Sequence, residues 1–510
     1  MSRFGGPTMP RGRVADVTLL LEGTYPFVSG GVSSWVHQII RGLPDVAFSL
    51  VFIGGSADRY EKIRYPLPPN VVHLEEHFLS EVPKGDRVAA RPGDAAFYGC
   101  SAALHDALAG DGSKDLSALL DKMVVALLQN PRRHELDFLF SERSWEQICD
   151  RYTRSARDRS FLEYFWTVRS MHAPLFAMAR VAANVPPSRS FHVISTGFAG
   201  FLATLLRKAR GQPLILTEHG IYTKERRIEL LQAGWIPDDE QLSPTAQSAT
   251  IGFFRQVWIR FFESLGKMTY GAADPIVSLY EGNRSRQIRD GADAARTTVV
   301  PNGIDVGRFA PLRARRPAAI PRVLGLIGRV VPIKDIKTFI RAMRVVVTQL
   351  PDVEGWVVGP QDEDREYALE CEDLVRSLGL EASVKFTGPQ NVDDIYPKLG
   401  LNILTSISEA QPLVVLEAFA AGLPSVTSDV GCCRELIDGV GPDDTSLGSA
   451  GVVVDIADPH ATARAAIELL TDGARWYAAQ RAGIQRVERY YTQTMMLERY
   501  RSIYGRALGA

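Results

Sequence analysis

Two glutamates, Glu409 and Glu417, are separated by seven residues within the stretch Ser406–Gly422. An apolar run predicted to form a strand ends near Thr405, which places Glu409 in the loop that follows the strand. Glu417 falls inside an otherwise apolar helix, where a carboxylate is costly to bury unless it is hydrogen-bonded. The sequence therefore predicts donors around Glu417, either the hydroxyls of a ligand or a structural Arg or Lys.

The start of this helix is itself a candidate anion site. Pro412 is predicted to be the first helical residue, because its missing N–H costs nothing there, and Gly422 is predicted to cap the helix end. The free N–H groups of Leu413 and Val414, together with the helix dipole, suit a phosphate. The alternative is a helix-start acid with a buried structural ion pair, and the residues alone leave both interpretations open.

Two cations follow another predicted strand, Val323–Ile327. Arg329 offers a bidentate fork for phosphate oxygens, and Lys334, at the start of the next helix, offers a point charge. Two fixed cations at a strand-to-helix turn suit a leaving diphosphate. The alternative is a pair of ordinary surface cations.

Two further candidates follow strands in the N-terminal half. Gly30 and Gly31 precede a predicted helix, 32–41, and glycines allow a backbone to approach a ligand closely, although an ordinary turn is the alternative. His219 ends another strand and can donate to a hydroxyl or transfer a proton, although it can equally be structural. Glu218 is the adjacent alternative.

Other kinds of site are not indicated. There is no GxGxxG after any predicted strand and no GxxxxGK[ST] loop. The acidic triplet Asp362–Asp364 is interpreted as a solvated loop, and no cluster of Cys and His points to a metal. Five cysteines without CxxC spacing suit a reducing cytosol without a disulfide framework.

Composition and charge exclude several classes of protein. The 510 residues carry a net charge of -1, which argues against a generally cationic nucleic-acid binder. Hydrophobic residues make up 45%, enough for cores in two or three domains. No apolar run approaches the ~18 residues needed to span a bilayer, and the N-terminus has no signal-peptide pattern.

The elements that must position the candidate residues are short apolar runs separated by amphipathic ones. Such runs, apolar on both faces, predict two buried parallel sheets and hence two doubly wound α/β domains facing a cleft. The predicted strands are 17–21, 49–53, 71–74, 192–196, 214–217, 276–279 and 298–300, followed by 323–327, 355–358, 384–386, 401–405, 425–427 and 451–454.

Four segments lie outside this simple alternation. Residues 56–190 contain little strand and predict a helical insertion in the first domain, with helices at 94–109, 116–129, 145–150 and 161–183. The helical stretch 247–270 carries an aromatic stripe that is either core or a partner surface. The Pro-rich, basic stretch 311–321 predicts a linker, and 474–508 is predicted to be helical and amphipathic. The predicted domains are 1–315 and 316–485, and the C-terminal helix, 486–510, is expected to pack back on the first.

Together, these motifs resemble those of retaining nucleotide-sugar glycosyltransferases of family 4, which have the GT-B fold. Glu409 and Glu417 match that family's pair of glutamates, and Arg329 and Lys334 match its diphosphate-binding cations. Gly30 and Gly31 match its N-terminal glycine loop and His219 its first-domain histidine. The resemblance covers the second domain and the strand framework of the first.

The resemblance implies roles for these residues. Glu417 is expected to hold the ribose hydroxyls of a UDP-sugar, and Glu409 the hydroxyls of its sugar. Arg329, Lys334 and the amides of Leu413 and Val414 are expected to stabilise the leaving diphosphate without a metal or other cofactor. His219 is expected to contact the sugar or the leaving group. Many relatives have Gly-Phe-Gly where this chain has Ala410-Gln411-Pro412, so Gln411 is a candidate for bonding a sugar substituent.

A closer resemblance runs through LLLEGTYPFVSGGVSSWVHQII, TEHGIYTKER and VVPNGID. These segments look like those of the glycosyltransferases of the bacterial Pel exopolysaccharide system. That likeness implies a cytoplasmic enzyme with an oligosaccharide or polysaccharide acceptor, and inner-membrane synthesis proteins as partners that recruit it peripherally. It implies neither a nucleic-acid partner nor a membrane anchor of its own.

Rival functions on the same scaffold are an epimerase of UDP-sugars, a phosphorylase, and a non-catalytic sensor of nucleotide-sugars. A phosphorylase of the common type needs a lysine for pyridoxal, and no clear candidate is present. The sequence keeps the full set of charged candidates, which are Arg329, Lys334, Glu409 and Glu417. This disfavours a sensor, because a site that no longer catalyses a reaction usually loses some of its charged residues.

Overall fold

The computed structural model describes residues 7–8, 13–60, 62–79, 90–109, 116–236 and 251–509. The chain divides into two compact units. The first comprises Met1–Ser278, Arg284–Thr298 and Arg501–Ala510, and the second comprises Leu279–Asn283 and Val299–Tyr500.

The first unit is built on a seven-stranded sheet in the order β3-β2-β1-β4-β5-β6-β7. Register pairs from β3 across to β6 are all parallel. The strands have almost no exposed side chains. Because both faces of the sheet are buried, their sequences are continuous apolar runs and do not alternate between apolar and polar residues. They are β1 (Ala15–Glu22), β2 (Phe48–Gly54), β3 (Val71–Phe78), β4 (Ser188–Val193), β5 (Leu214–Glu218), β6 (Ile276–Ser278) and β7 (Thr297–Val299).

The predicted helical insertion lies between β3 and β4, where the described residues, 90–109 and 116–187, form five helices. They are α2 (Ala95–Ala109), α3 (Leu116–Gln129), α4 (Pro131–Phe140), α5 (Glu142–Ser155) and α6 (Phe161–Asn184), preceded in the chain by α1 (Gly31–Gly42). The helix Pro131–Phe140 was not predicted. Phe97, Phe138 and Phe176 from the insertion share one apolar core with Leu20 and Val193 from the sheet, so the insertion enlarges the core of the first unit.

The aromatic stripe is part of that core. It lies on α9, where Phe254, Trp258 and Phe262 are buried. This helix begins at Phe253, and the predicted start at 247–250 lies outside the described residues. The helices described between residues 198 and 309 are α7 (Phe198–Arg210), α8 (Tyr222–Gln232), α9 (Phe253–Ala272), α10 (Glu281–Arg289) and α11 (Val306–Phe309), of which α11 lies in the second unit.

The second unit is built on a six-stranded parallel sheet in the order β10-β9-β8-β11-β12-β13. Its strands are β8 (Val323–Ile327), β9 (Glu354–Val358), β10 (Val384–Gly388), β11 (Leu401–Leu404), β12 (Ser425–Ser428) and β13 (Gly451–Val454). The helices that follow α11 are α12 (Ile336–Gln349), α13 (Arg365–Ser377), α14 (Val392–Ile395), α15 (Leu413–Ala420), α16 (Cys433–Asp438), α17 (Gly441–Thr445), α18 (Pro459–Thr471), α19 (Gly473–Tyr490) and α20 (Gln493–Leu508). The prediction of two doubly wound parallel-sheet domains is confirmed.

Two predictions about connections differ from the structure. The stretch predicted to be helical at 474–508 is two helices, α19 and α20, and the predicted start of the C-terminal helix at 486 lies inside α19. The break falls at 491–492, because the backbone of Ile304 exchanges hydrogen bonds with Tyr491 and Gln493 and interrupts the helical ladder. The proline-rich stretch 311–321 lies within the second unit. It begins with a 3₁₀ turn, Ala310–Arg315, that buries Leu312.

Among the described residues, no helix is both long enough and apolar enough to cross a membrane.

A buried ion pair connects α19 to α17 in the second unit. Arg486 is 0% exposed and donates from Nε to Asp444 Oδ1 at 2.6 Å. The same guanidinium also donates to the carbonyls of Ile437 at 2.7 Å and Gly448 at 2.9 Å. The guanidinium is the donor to Asp444 Oδ1 and to the Gly448 carbonyl, while the other carboxylate oxygen of Asp444 accepts the Val440 N–H at 2.9 Å.

We expect Arg486→Met to destabilise the second unit by about 3–5 kcal/mol, because it leaves the buried charge of Asp444 without its cation and the Gly448 carbonyl without its donor. The measurement is the free energy of amide opening around 433–448 by hydrogen exchange. The control, Arg434→Met, breaks the exposed pair with Asp429 and should cost less than about 1 kcal/mol. Equal effects of the two variants would contradict the assigned role of Arg486.

Candidate functional site

The candidate site of the second unit lies where β8 and β11 end. These two strands are neighbours in the sheet although the strands β9 and β10 lie between them in the chain. The strand order reverses at this point, and in open parallel sheets ligands bind in the crevice beyond the carboxyl ends of such strands. Arg329 and Lys334 follow β8, and Glu409 follows β11.

An ion pair joins the two loops. Lys334 Nζ donates to Glu409 Oε1 at 2.5 Å, and Ser406 Oγ donates to the same oxygen at 2.7 Å. The side chains of Lys334 and Glu409 are 22% and 15% exposed, so the pair is largely removed from water. The structure thus brings together a cation and a carboxylate that the sequence places 75 residues apart.

Backbone contacts fix the same two loops. Thr405 Oγ1 lies 3.0 Å from the carbonyl of Lys334 and 2.9 Å from that of Asp335, and donates to them. The Ile407 N–H donates to the Ile333 carbonyl at 2.9 Å. The position of Lys334 relative to Glu409 therefore does not depend on their ion pair alone.

A close approach at a glycine supports the Glu409 loop from behind. A Cβ on Gly431, whose φ is 55°, would lie 2.2 Å from the Ala410 carbonyl oxygen and 2.4 Å from that of Glu409. The next residue, Cys432, donates its N–H to Ala410 at 2.9 Å. Any larger residue at 431 would displace the loop that carries Glu409.

The predicted helix after this loop is α15, with its bounds shifted by one residue. Pro412 is the N-cap and not the first helical residue. The N–H groups of Leu413 and Val414 have no acceptor in the described part of the chain, whereas Val415 donates to the Pro412 carbonyl at 3.1 Å. The helix start thus presents two unpaired donors, as an anion site requires.

A glycine cap at Gly422 ends α15. Gly422 adopts φ 73° and donates to the Phe419 carbonyl, while Leu423 donates to that of Ala418 at 2.8 Å. This pattern of two bonds around a left-handed glycine is the Schellman motif.

Glu417 has one neutral partner in the structure. Tyr396 donates its hydroxyl to Glu417 Oε2 at 2.9 Å. Burial raises the pKa of Glu417, while the bond from Tyr396 opposes that rise. The sequence predicted an Arg, a Lys or a ligand as the donor, and no local signal marks Tyr396 as a partner from 21 residues away.

Gln411 and Arg329 each have a partner that the sequence does not indicate. The side-chain oxygen of Gln411, which is 6% exposed, accepts the Asn302 N–H at 2.6 Å. Arg329 donates from Nη1 to Glu363 Oε2 at 2.6 Å, and both side chains are about half exposed. Arg329 is therefore paired at the surface, not buried with Lys334.

Within the first unit, Gly30 and Gly31 lie at the start of α1. Both are exposed, and no atom lies within 4 Å of a Cβ built on either. Gly30 is the N-cap, its N–H lies 3.5 Å from the Tyr65 hydroxyl, and Ser34 bonds the same hydroxyl at 3.2 Å. The surrounding fold therefore does not require glycine here for space.

His219 follows β5 and is 8% exposed. Its ring lies edge-to-face against Trp35, with centroids 4.7 Å apart. Burial lowers the pKa of His219 to about 4. The adjacent alternative, Glu218, is fully buried and accepts from the hydroxyl of Tyr270 at 2.7 Å and from Gln287 at 3.0 Å. Glu218 therefore has a structural role in this unit.

A second polar group at the carboxyl ends of the first sheet was not predicted. Glu22 ends β1 and accepts from the Ala199 N–H at 2.9 Å and the Tyr222 hydroxyl at 3.1 Å. Arg226 donates to the same hydroxyl at 2.9 Å. The only available signal was a charged residue, Glu22, at the end of an apolar strand.

These two parallel sheets, with polar residues beyond the strand ends, define the fold of a GT-B glycosyltransferase. Residues 15–295 match the family described as Domain of unknown function (DUF3492), and the chain belongs to that family. Residues 321–472 match the family described as Glycosyl transferases group 1.

Curated relatives match over part of their length. The chain is 29% identical over 236 residues to the D-inositol 3-phosphate glycosyltransferase of Corynebacterium urealyticum. This match covers 42% of the present chain and 54% of the relative. The matched region spans about half the length of the curated relatives with this description.

Solved structures share the fold along nearly the whole chain. Sucrose-phosphate synthase from Thermosynechococcus elongatus has a TM-score of 0.60 and 17% identity, covering 97% of this chain and 99% of that one. HepE from Anabaena, solved in complex with UDP-glucose, has a TM-score of 0.55 and 14% identity, covering 96% and 99%. At these identities, the likeness establishes the GT-B architecture.

Buried histidines of the first unit, among them His192 and His219, predict its acid sensitivity. Burial lowers the pKa of His192 to about 3 and that of His219 to about 4, whereas an unfolded histidine titrates near ~6.5. Below pH ~6.5 the unfolded chain therefore takes up protons that the folded unit does not, so stability is full above this pH and falls towards pH 4. For His219 this decrease in the free energy of unfolding is on the order of 3 kcal/mol.

We expect the thermal midpoint of the first unit to fall between pH 7 and pH 5, and His219→Leu to flatten this dependence. The measurement is circular dichroism melting at several pH values. His460→Gln, at an exposed histidine of the second unit, is the matched control and should leave the slope unchanged. If the thermal midpoint changed with pH equally in the parent and both variants, the buried His219 would not contribute to the acid sensitivity of the first unit.

Proposed function

We propose that this chain is a retaining glycosyltransferase that transfers a sugar from a UDP-sugar to a growing oligosaccharide or polysaccharide. The observation that carries the proposal is the arrangement at β8 and β11, where Lys334, Glu409 and the free N–H groups of α15 lie at one strand edge. The match of residues 321–472 to group 1 glycosyl transferases supports it. So does the UDP-glucose complex of HepE, a protein of the same fold.

The nucleotide would be held through its ribose by Glu417. Tyr396 occupies Oε2 of that carboxylate, while Oε1 has no donor among the described residues. A diol on the ribose supplies such donors, and the bond from Tyr396 fixes the carboxylate plane so that Oε1 can accept them. Burial makes the carboxylate depend on these bonds.

The diphosphate would be stabilised by Arg329, Lys334 and the N–H groups of Leu413 and Val414. Negative charge grows on the leaving diphosphate as the glycosidic bond breaks. Donors already in place stabilise this charge without reorganisation, and one such donor is worth roughly 3 kcal/mol in other enzymes. The fixed cations remove the need for a metal ion in this scheme.

Glu409 would hold the hydroxyls of the donor sugar. Its Oε1 is engaged by Lys334 and Ser406, which leaves Oε2 to accept from the sugar. We propose that transfer proceeds with retention by front-face attack, without a covalent protein nucleophile. Gln411 would take part through its amide nitrogen, because its oxygen is bound to the Asn302 backbone.

The first unit would provide the acceptor side, with His219 contacting the sugar or the leaving group. Because burial keeps its ring neutral at pH 7, His219 would act as a neutral donor or acceptor and not as a cation. Gly30 and Gly31 would allow a ligand to approach the backbone, which their open surroundings permit.

We further propose that the acceptor is an exopolysaccharide of the Pel type and that the chain is a PelF-like enzyme of the cytoplasm, recruited by inner-membrane synthesis proteins. The support is the likeness of LLLEGTYPFVSGGVSSWVHQII and TEHGIYTKER to that enzyme. The domain roles follow from it. Residues 1–315 would bind the acceptor and 316–485 the nucleotide-sugar. Of the C-terminal stretch 486–510 that was expected to pack on the first domain, Arg501–Ala510 belongs to the first unit and the part before it to the second.

The proposal is tested by UDP release from a panel of UDP-sugars, without added metal and with an oligosaccharide acceptor. We expect Glu409→Gln to reduce turnover by about 100-fold or more, with little change in the Kd for UDP, because it removes a contact to the sugar. Glu366→Gln, at an exposed glutamate of the same unit, is the control. Binding without turnover of any UDP-sugar would favour a sensor, and interconversion without an acceptor would favour an epimerase.

A second prediction separates the two cations. Arg329→Ala should weaken UDP binding by about 10-fold, whereas Glu363→Gln should tighten it, because Glu363 competes with phosphate for the same guanidinium. Isothermal titration calorimetry measures both, with Arg344→Ala as a control at another exposed arginine. Unchanged UDP affinity in Arg329→Ala would remove Arg329 from the site.

A further inference from the structure

A pocket of about 690 Å³ opens in the first unit at the edge of the sheet opposite to His219. Its lining includes Arg13, just before β1, Ala47, just before β2, and Asn70, just before β3. These three strands are parallel neighbours, so the pocket lies at their amino-terminal ends. The ligand crevices of doubly wound sheets lie at the carboxyl ends, and this pocket is therefore separate from the sites described above.

The frame of the pocket is rigid. The Asn70 amide donates to the carbonyls of Ile40 at 2.9 Å, Leu43 at 3.0 Å and Val46 at 3.1 Å. One side chain thereby ties the end of α1 and the following turn to the start of β3. The facing wall is Pro66-Leu67-Pro68-Pro69, in which three of the four residues have a fixed φ. The pocket is therefore preformed, which lowers the cost of binding a ligand.

The charge of the pocket is positive and uncompensated. The side chains of Arg13 and Arg41 are exposed and form neither a hydrogen bond nor an ion pair with any described residue. His37 also lines the pocket, and its Nδ1 is 3.3 Å from the Tyr25 hydroxyl. His37 and Arg41 are one turn apart on α1, and burial together with the charge of Arg41 lowers the pKa of His37.

The nearby acids are already engaged. Asp45, which lines the pocket, is paired with Arg501. Asp16 accepts the Ala47 N–H at 2.9 Å and pairs with Arg189 at 3.3 Å. No carboxylate of the described lining is thus left to neutralise Arg13 and Arg41, and an anion from solution would do so.

We propose that this pocket binds a small soluble organic phosphate. Two guanidinium groups offer bidentate donors that match phosphate oxygens. The proline wall and Val72 offer apolar surface, which favours a phosphate carried on an apolar or ring-shaped group over the inorganic ion. The volume is typical of small-molecule sites. The inference does not depend on the function proposed above.

The test uses phenyl phosphate as the probe, with full-length protein, in equilibrium dialysis at low ionic strength, with and without excess UDP. We expect saturable binding that UDP does not displace, and binding of inorganic phosphate that is at least several-fold weaker. Arg13→Gln/Arg41→Gln should weaken phenyl phosphate binding at least ten-fold. Arg341→Gln/Arg344→Gln, at two exposed arginines of α12, is the matched control and should bind like the parent.

Hydrogen exchange gives an independent reading, with protection by phenyl phosphate expected in 37–47 and 66–72 in the parent protein and absent in the Arg13/Arg41 variant. Displacement by UDP, or equal binding in both double variants, would overturn the proposal. Binding only to vesicles of phosphatidic acid and phosphatidylcholine, lost in the Arg13/Arg41 variant, would assign the arginines to a lipid surface and would also overturn it. Failure of UDP to bind at all would bear on the proposed transferase activity and not on this pocket.

Discussion

The ion pair between Lys334 and Glu409 is the constraint on which the candidate site depends. Each charge is largely removed from water, and each would be left uncompensated without the other. The loops that carry them come from different strands and are held in register by Thr405, which bonds two carbonyls of the Lys334 turn. The backbone contacts therefore set where the two loops lie, and the ion pair compensates the two charges that those loops bring together.

The sheets could be predicted because buried parallel strands are apolar on both faces. The strands Val323–Ile327 and Gly451–Val454 have the predicted bounds. The strand predicted at 192–196 runs instead from Ser188 to Val193, because Ser188 and Ser190 bond backbone carbonyls and can be buried. The break in the C-terminal helix was not predictable, since it arises from pairing with Ile304, almost 190 residues earlier in the chain.

The candidate site was predictable in its residue types and not in its partners. A strand end, a proline and a glycine are local signals, and they placed Glu409 and the start of α15 to within a residue. The contacts that orient these groups join distant parts of the chain. Tyr396 with Glu417, Asn302 with Gln411, and Glu363 with Arg329 are all of this kind. A single sequence contains no periodicity or spacing that links such pairs.

The two cations of the site differ in how easily they can exchange partners. The pair between Arg329 and Glu363 is about half exposed, and such surface pairs contribute about 1 kcal/mol or less. An incoming anion can therefore displace Glu363 at little cost. Lys334 is more buried, and releasing it would leave Glu409 with Ser406 as its remaining donor. Arg329 is thus suited to capturing an anion, whereas Lys334 is suited to holding fixed geometry while charge develops nearby.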